Sequence, residues 1–160
     1  MEKIKTGLAG VRPVGMRSRI RRMQGFTIIE DCYNANPASM KAAIDLLMEM
    51  GKKSRTIAVL GDMLELGDKA RELHREVGAY VTAHGVTRLI ACGNLGIEFA
   101  RGALANGMAQ DAVIEVSGPK DAANVLADLV RAGDVILLKA SRGMRLERVL
   151  QYFPPVKARG

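Results

Sequence analysis

The sequence has no tryptophan, and only three phenylalanines and three tyrosines among 160 residues. So few rings, none of them interleaved with the basic residues, count against a stacking platform for single-stranded nucleic acid. Two cysteines, Cys32 and Cys92, are too few for a disulfide framework. Each falls at an apparent strand end without a metal-ligand neighbour, and both read as reduced thiols of a cytosolic protein. There are two histidines and no His/Cys/Asp/Glu cluster at metal-ligand spacing, so no metal site is expected. His74 and His84 read as helix-surface residues. No apolar run is long enough to span a bilayer, and no apolar stretch follows Met1-Glu2-Lys3-Ile4-Lys5 to make a signal peptide. There is no internal repeat and no low-complexity segment.

What is present fits one globular domain with a real core: 48% apolar and 26% charged residues are ordinary for a soluble α/β protein. The net charge of +7 is terminal. Arg12, Arg17, Arg19, Arg21 and Arg22 crowd the start, and Lys157 and Arg159 lie in the tail. Without those seven, basic and acidic residues balance at 17 each. A solvated edge explains such a distribution; a basic nucleic-acid interaction module is the sharper alternative.

The stretch from Phe26 to Gly51 is the most informative. Phe26, Ile28 and Ile29 have the spacing and β-branching of a buried strand, which delivers Asp31 and a polar turn, Cys32-Tyr33-Asn34-Ala35-Asn36. Pro37 suits the first position of a helix, and Asn36 suits its N-cap. Met40, Ala43, Ile44, Leu47 and Met50 form one face, and Gly51 ends the helix. A carboxylate and several amides ahead of a helix N-terminus are built like a ligand site.

Further apolar strands are expected at 55–60, 88–92, 112–116 and 134–139, alternating with helices that begin near Asp68 (as N-cap), Gly96, Pro119 and Met144. Residues 17–23 suit an edge strand turning at Gln24-Gly25. Five strand–helix alternations with short connections predict an α/β fold, a three-layer Rossmann-like sandwich around a mostly parallel sheet. Ligands bind beyond the carboxyl ends of such strands, and those ends carry Asp31, Asp62, Gly93 and Ser141-Arg142.

Each motif has a plainer reading. Gly51-Lys52-Lys53-Ser54 is a P-loop fragment without its leading glycine, and it follows a helix. Ala91-Cys92-Gly93-Asn94-Leu95-Gly96 approaches a dinucleotide fingerprint, with Glu115 about 20 residues on, but its first glycine is alanine and it sits on the third βα unit. That keeps a nicotinamide-dinucleotide-binding domain as an alternative. Asp62 and Glu65, in Gly61-Asp62-Met63-Leu64-Glu65-Leu66-Gly67, could hold an ammonium; spacing alone favours their merely capping and solvating a turn. Ser141 and Arg142 suit carboxylate recognition, though surface Ser-Arg pairs are common.

Three blocks carry a resemblance: DCYNANPASMKAAIDLL at 31–47, VLGDMLELG at 59–67 with ELHREVG behind it, and LKASRGMRLERV at 138–149. In that order and spacing they resemble the C-terminal domain of the Mur ligases, from about Gly15 to Phe153. The family usually shows glycine where Ala140 stands. Folylpolyglutamate synthase shares the architecture but not these blocks.

The resemblance implies an ATP-dependent amide ligase of cytoplasmic peptidoglycan synthesis. Its substrates would be UDP-N-acetylmuramoyl-tripeptide and D-alanyl-D-alanine, joined through an acyl phosphate, with ATP and magnesium held mainly by a central domain. Carried over by the same resemblance, Arg17 is the linker arginine that reaches ATP, and Asp31 lies near the ribose and phosphates. Tyr33, Asn34, Asn36, Ser141 and Arg142 fall where the family binds the incoming substrate; charge matching, not the resemblance, offers Asp62 or Glu65 for its ammonium. The P-loop, the magnesium ligands and the UDP-sugar domain are missing, so the chain is expected to be an excised domain, inactive alone and carrying no catalytic residue of its own. Residues 1–16 would then end the central domain and its linker, 17–153 form the C-terminal domain, and 154–160 be a flexible tail.

Overall fold

The computed structural model describes residues 18–153; the expectations for Arg17, for residues 1–16 and for the tail at 154–160 lie outside them. Six strands form one sheet: β1 (Arg19–Met23), β2 (Phe26–Asp31), β3 (Thr56–Gly61), β4 (Arg88–Cys92), β5 (Val113–Val116) and β6 (Val135–Lys139). Their order across the sheet is β1-β2-β6-β3-β4-β5. Only β1 is antiparallel to its neighbour; the other pairings are parallel. The weakly alternating arginine-rich segment is therefore an edge strand, and its charge is what discourages further pairing there.

The helices are α1 (Pro37–Met50), α2 (Ala70–Ala83), α3 (Gly96–Ala105), α4 (Pro119–Leu129) and α5 (Arg148–Tyr152). Those after β2, β3 and β4 cover one face, where Met40, Ile44, Leu47, Val77, Val81 and Phe99 pack against Ile29, Leu60, Leu89 and Leu137. On the other face α4 and α5 bring Ala122, Leu126 and Val149 against Ile28, Val59, Ile90 and Leu138. Strands β3 and β6 are buried along their whole length because both faces are covered, which is why they read as unbroken apolar runs.

Asn36 caps α1 as its position suggests, its side chain accepting the Ser39 N–H at 2.8 Å while the Ser39 hydroxyl accepts the Asn36 N–H at 3.0 Å. Three expectations need correction. Asp68 lies in a 3-10 turn, Gly67–Lys69, and α2 has Lys69 at its N-cap with no side-chain cap bond. The last helix does not begin at Met144: a 3-10 turn, Arg142–Met144, and a left-handed Arg145 (φ 51°) precede the short α5. His74 is fully buried rather than on the helix surface, because the inward stripe of α2 is His74, Val77, Gly78 and Val81.

Candidate functional site

Strand β6 sits between β2 and β3, yet the chain leaves β2 and β3 toward one face of the sheet and leaves β6 toward the other. The connections part there, which opens a crevice at the carboxyl ends of the strands, the usual place for a ligand in such a sheet. Asp31 and Lys139 end β2 and β6 as register partners. The Lys139 ammonium forms an ion pair with Asp31 Oδ1 (3.1 Å) and donates to the main-chain carbonyl of Asn34 (2.8 Å). Ser18 Oγ donates to Asp31 Oδ2 at 3.1 Å. Lys139 is only 2% exposed, and a buried lysine persists when its charge is paired and its donors are bonded. Nothing in the motif reading singled it out. The available signal was a lysine closing an otherwise wholly apolar strand.

The loop after β3 is pinned from three sides. Asp62, 4% exposed, accepts the N–H groups of Asn94 (3.1 Å) and Leu95 (2.8 Å). Ser141 Oγ accepts the Leu64 N–H at 2.8 Å, and the Ser141 N–H donates to the Asp62 carbonyl at 3.1 Å. His74 Nε2 accepts the Met63 N–H (3.0 Å) while Nδ1 donates to the Ala70 carbonyl (2.6 Å), which fixes one neutral tautomer. Burial depresses the pKa of His74 below its usual value. Asp62 and Ser141 thus serve the fold: Asp62 is a loop clamp, and Ser141, which follows β6, keeps its hydroxyl proton and one lone pair to offer a ligand. Glu65 is exposed at the tip of the loop with φ 63°.

The Asp62 clamp bears on the dinucleotide alternative. A phosphate at residues 93–96 would need the amides of Asn94 and Leu95, and both are already donated to Asp62. Gly93 has φ 107°, and a side chain there would bring its Cβ within 2.7 Å of Asp62 Oδ1. The glycine serves the carboxylate's approach, not a pyrophosphate's.

On the α5 side of β6 lies a groove of about 610 Å³, lined by Arg19, Glu30, Cys32, Tyr33, Arg142, Arg145 and Glu147. The Arg142 guanidinium lies over the Tyr33 ring at 5.3 Å, so two residues from distant parts of the sequence share one wall. Asn34 and Asn36 are exposed at the same end of the sheet, with the Asn36 oxygen committed to the α1 cap. Along β1, Arg21 is paired with Glu30 at 2.6 Å and Arg22 donates to Thr27, so part of the basic edge is neutralised internally. Cys32 donates its thiol to the Leu138 carbonyl at 3.5 Å and is held well above the usual thiol pKa, first by burial and then by Glu30. Cys92 is pushed up to about 12 by burial and by Asp62. Neither is a reactive thiolate. Among the described residues no group of three or more His, Cys, Asp or Glu side chains could hold a metal, and no helix is long and apolar enough to cross a membrane.

Comparison with known proteins converges on one family. Residues 16–142 match the family model described as Mur ligase, glutamate ligase domain. The UDP-N-acetylmuramoyl-tripeptide–D-alanyl-D-alanine ligase of Bacillus subtilis is 40% identical over 151 residues, covering 94% of this chain and 33% of the relative. The enzyme of the same name from Mycobacterium leprae is 34% identical over 163 residues, covering 91% and 31%. The crystal structure of the Thermotoga maritima MurF ligase in complex with ADP superposes with a TM-score of 0.71 at 32% identity, over 91% of this chain and 32% of that one. The chain therefore spans about a third of the length of the relatives it matches. With its three sequence blocks gathered at one crevice of the matching fold, this chain belongs to the Mur ligase family.

Proposed function

We propose that this chain works as the C-terminal domain of an ATP-dependent cytoplasmic ligase that joins D-alanyl-D-alanine to UDP-N-acetylmuramoyl-tripeptide in peptidoglycan synthesis. The observation that carries the reading is convergence. The blocks at 31–36, 61–67 and 139–145 belong to three separate strand–helix units, yet meet at the crevice beside β6.

The carboxylate of Asp31 has lone pairs beyond those engaged by Lys139 and Ser18, which suits it to accept from ribose hydroxyls. When bound, ATP supplies the phosphoryl group that activates the tripeptide carboxylate. On this reading magnesium and the phosphates are held mainly by other parts of the ligase. Arg17 is assigned to the nucleotide as well.

On the amine side, Arg142 presents a planar fork to the dipeptide carboxylate, oriented by the Tyr33 ring beneath it. The Ser141 hydroxyl proton and the side-chain amides of Asn34 and Asn36 add donors near that end. With Asp62 committed to two backbone amides, Glu65 is the loop carboxylate left to receive the ammonium.

A chimera tests the reading. This chain replaces the corresponding third of the Bacillus subtilis ligase, and the product is followed by mass spectrometry. We expect ligation that depends on ATP and on the dipeptide, and none from the 160-residue chain alone. A folded chimera that forms no product while the parent enzyme does would overturn the reading.

A further inference from the structure

Lys139 closes a strand otherwise made of valine, isoleucine and leucine, in the middle of the sheet, with 3% of its side chain exposed. An ammonium in that position is expensive to desolvate, and apolar residues fill the rest of the strand at no such cost. Its bonds account for its presence. One reaches Asp31 Oδ1 across the register pair, and another reaches back 105 residues to the Asn34 carbonyl. Between those two anchors lie Cys32 and Tyr33, and Tyr33 is the ring on which Arg142 stacks. Lys139 is therefore bonded to both ends of the turn that joins the crevice to the groove.

We propose that Lys139 is the positioning residue of this site, tying the nucleotide-side carboxylate of Asp31 and the substrate-side turn at Asn34 into one rigid unit. The inference rests on the functional reading above, in which Asp31 serves the nucleotide and residues 33–36 serve the dipeptide. Lys139 touches neither ligand. It acts on the nucleotide through Asp31 and on the dipeptide through the main chain of Asn34. A small displacement of a positioned group is enough to slow a reaction substantially.

The test is a double-mutant cycle in the active chimera, with KM and kcat measured for ATP and for D-alanyl-D-alanine in turn. Lys139→Met should raise the dipeptide KM by on the order of tenfold and depress kcat/KM for ATP by a similar factor. Adding Asp31→Asn should absorb the ATP effect, leaving the double variant no worse than Asp31→Asn alone, because that arm runs through Asp31. The dipeptide effect should persist in the Asp31→Asn background. Lys139→Arg keeps a cation beside Asp31 and should recover the ATP parameter more than the dipeptide one, since its fork cannot reproduce the two divergent bonds. It also carries the same two-parameter test should Lys139→Met not fold. A dipeptide KM unchanged in either folded variant, with only the melting temperature lowered, would make Lys139 a structural residue and overturn the proposal. So would ATP effects that simply add. A chimera inactive with Lys139 intact overturns the functional reading and this inference with it; an active chimera indifferent to Lys139 overturns the inference alone.

Discussion

Removing the Asp62 carboxylate separates a clamp from a ligand contact. Asp62→Ala would strip the acceptor from two backbone N–H groups, those of Asn94 and Leu95, in a place where the carboxylate itself is 4% exposed. Each donor left without a partner costs about 1–3 kcal/mol, and partial access to water puts the sum at about 2–4 kcal/mol. For a chain of this size one kcal/mol moves the melting temperature by about 2–4 °C, so Asp62→Ala should unfold about 4–15 °C earlier. Asp62→Asn keeps one carbonyl oxygen and should lose about half as much. Gly93→Ala attacks the same contact from the other side, with a Cβ 2.7 Å from Asp62 Oδ1 and a backbone at φ 107°, and should also destabilise. Thermal unfolding followed by circular dichroism reads the loss, and hydrogen exchange should quicken first at Asn94 and Leu95. An Asp62→Asn variant that melts with the wild type while the chimera's KM for the dipeptide rises tenfold would refute the clamp, because the carboxylate would then be spent on the ligand.

Other consequences follow from neighbouring contacts. A Cβ on Gly61 would stand 2.7 Å from that of Ala140 and 3.3 Å from Met144 Cε, so Gly61→Ala should cost about 1–3 kcal/mol by overpacking. Ala140→Gly in the same chain should recover most of that loss; a double variant no better than the single would show the clash to be elsewhere. The folded pKa of His74 lies below its usual 6.5, so the unfolded chain takes up the proton first as pH falls. Stability from this group is therefore level above about pH 7 and declines below 6.5 toward the folded pKa. His74→Gln, neutral throughout, should flatten that acid slope in urea titrations, and an unchanged slope would assign it to other groups. In the chimera, Arg142→Ala should raise the dipeptide KM well above any change for ATP, with Arg142→Lys restoring part of it. Equal rises in both would move Arg142 out of the dipeptide's pocket.

The local half of this architecture was legible because its causes are local. Asn36-Pro37 marks the start of α1 through capping and ring geometry, and the unbroken apolar runs of β3 and β6 announce burial on both faces. The insertion of β6 between β2 and β3 left no such trace, since it depends on pairing β6 with two strands far from it in the sequence. Lys139 was missed for that reason: its partners, Asp31 and Asn34, come beside it only through this pairing. His74 was misplaced by a choice of helical face. Apolar spacing marks Ala70, Leu73, Val77 and Tyr80 or Val81 as the inner face of α2; Val77 and Val81 are buried, but Leu73 and Tyr80 stay half-buried while His74 and Gly78 turn inward. Asp62 and Ser141 do follow the carboxyl ends of β3 and β6, but spacing could not reveal that each would be bonded to a neighbouring loop.

Where the dipeptide binds is directly measurable. Titrating the 15N-labelled chain with D-alanyl-D-alanine and following amide shifts should perturb residues 33–36, Glu65 at the loop tip and 141–145. Loop 93–96, whose Asn94 and Leu95 amides are occupied by Asp62, should stay still. Shifts confined to 93–96 or to the start of α4, with 33–36 and 141–145 unmoved, would contradict the assignment of the crevice beside β6 as the amine-side site.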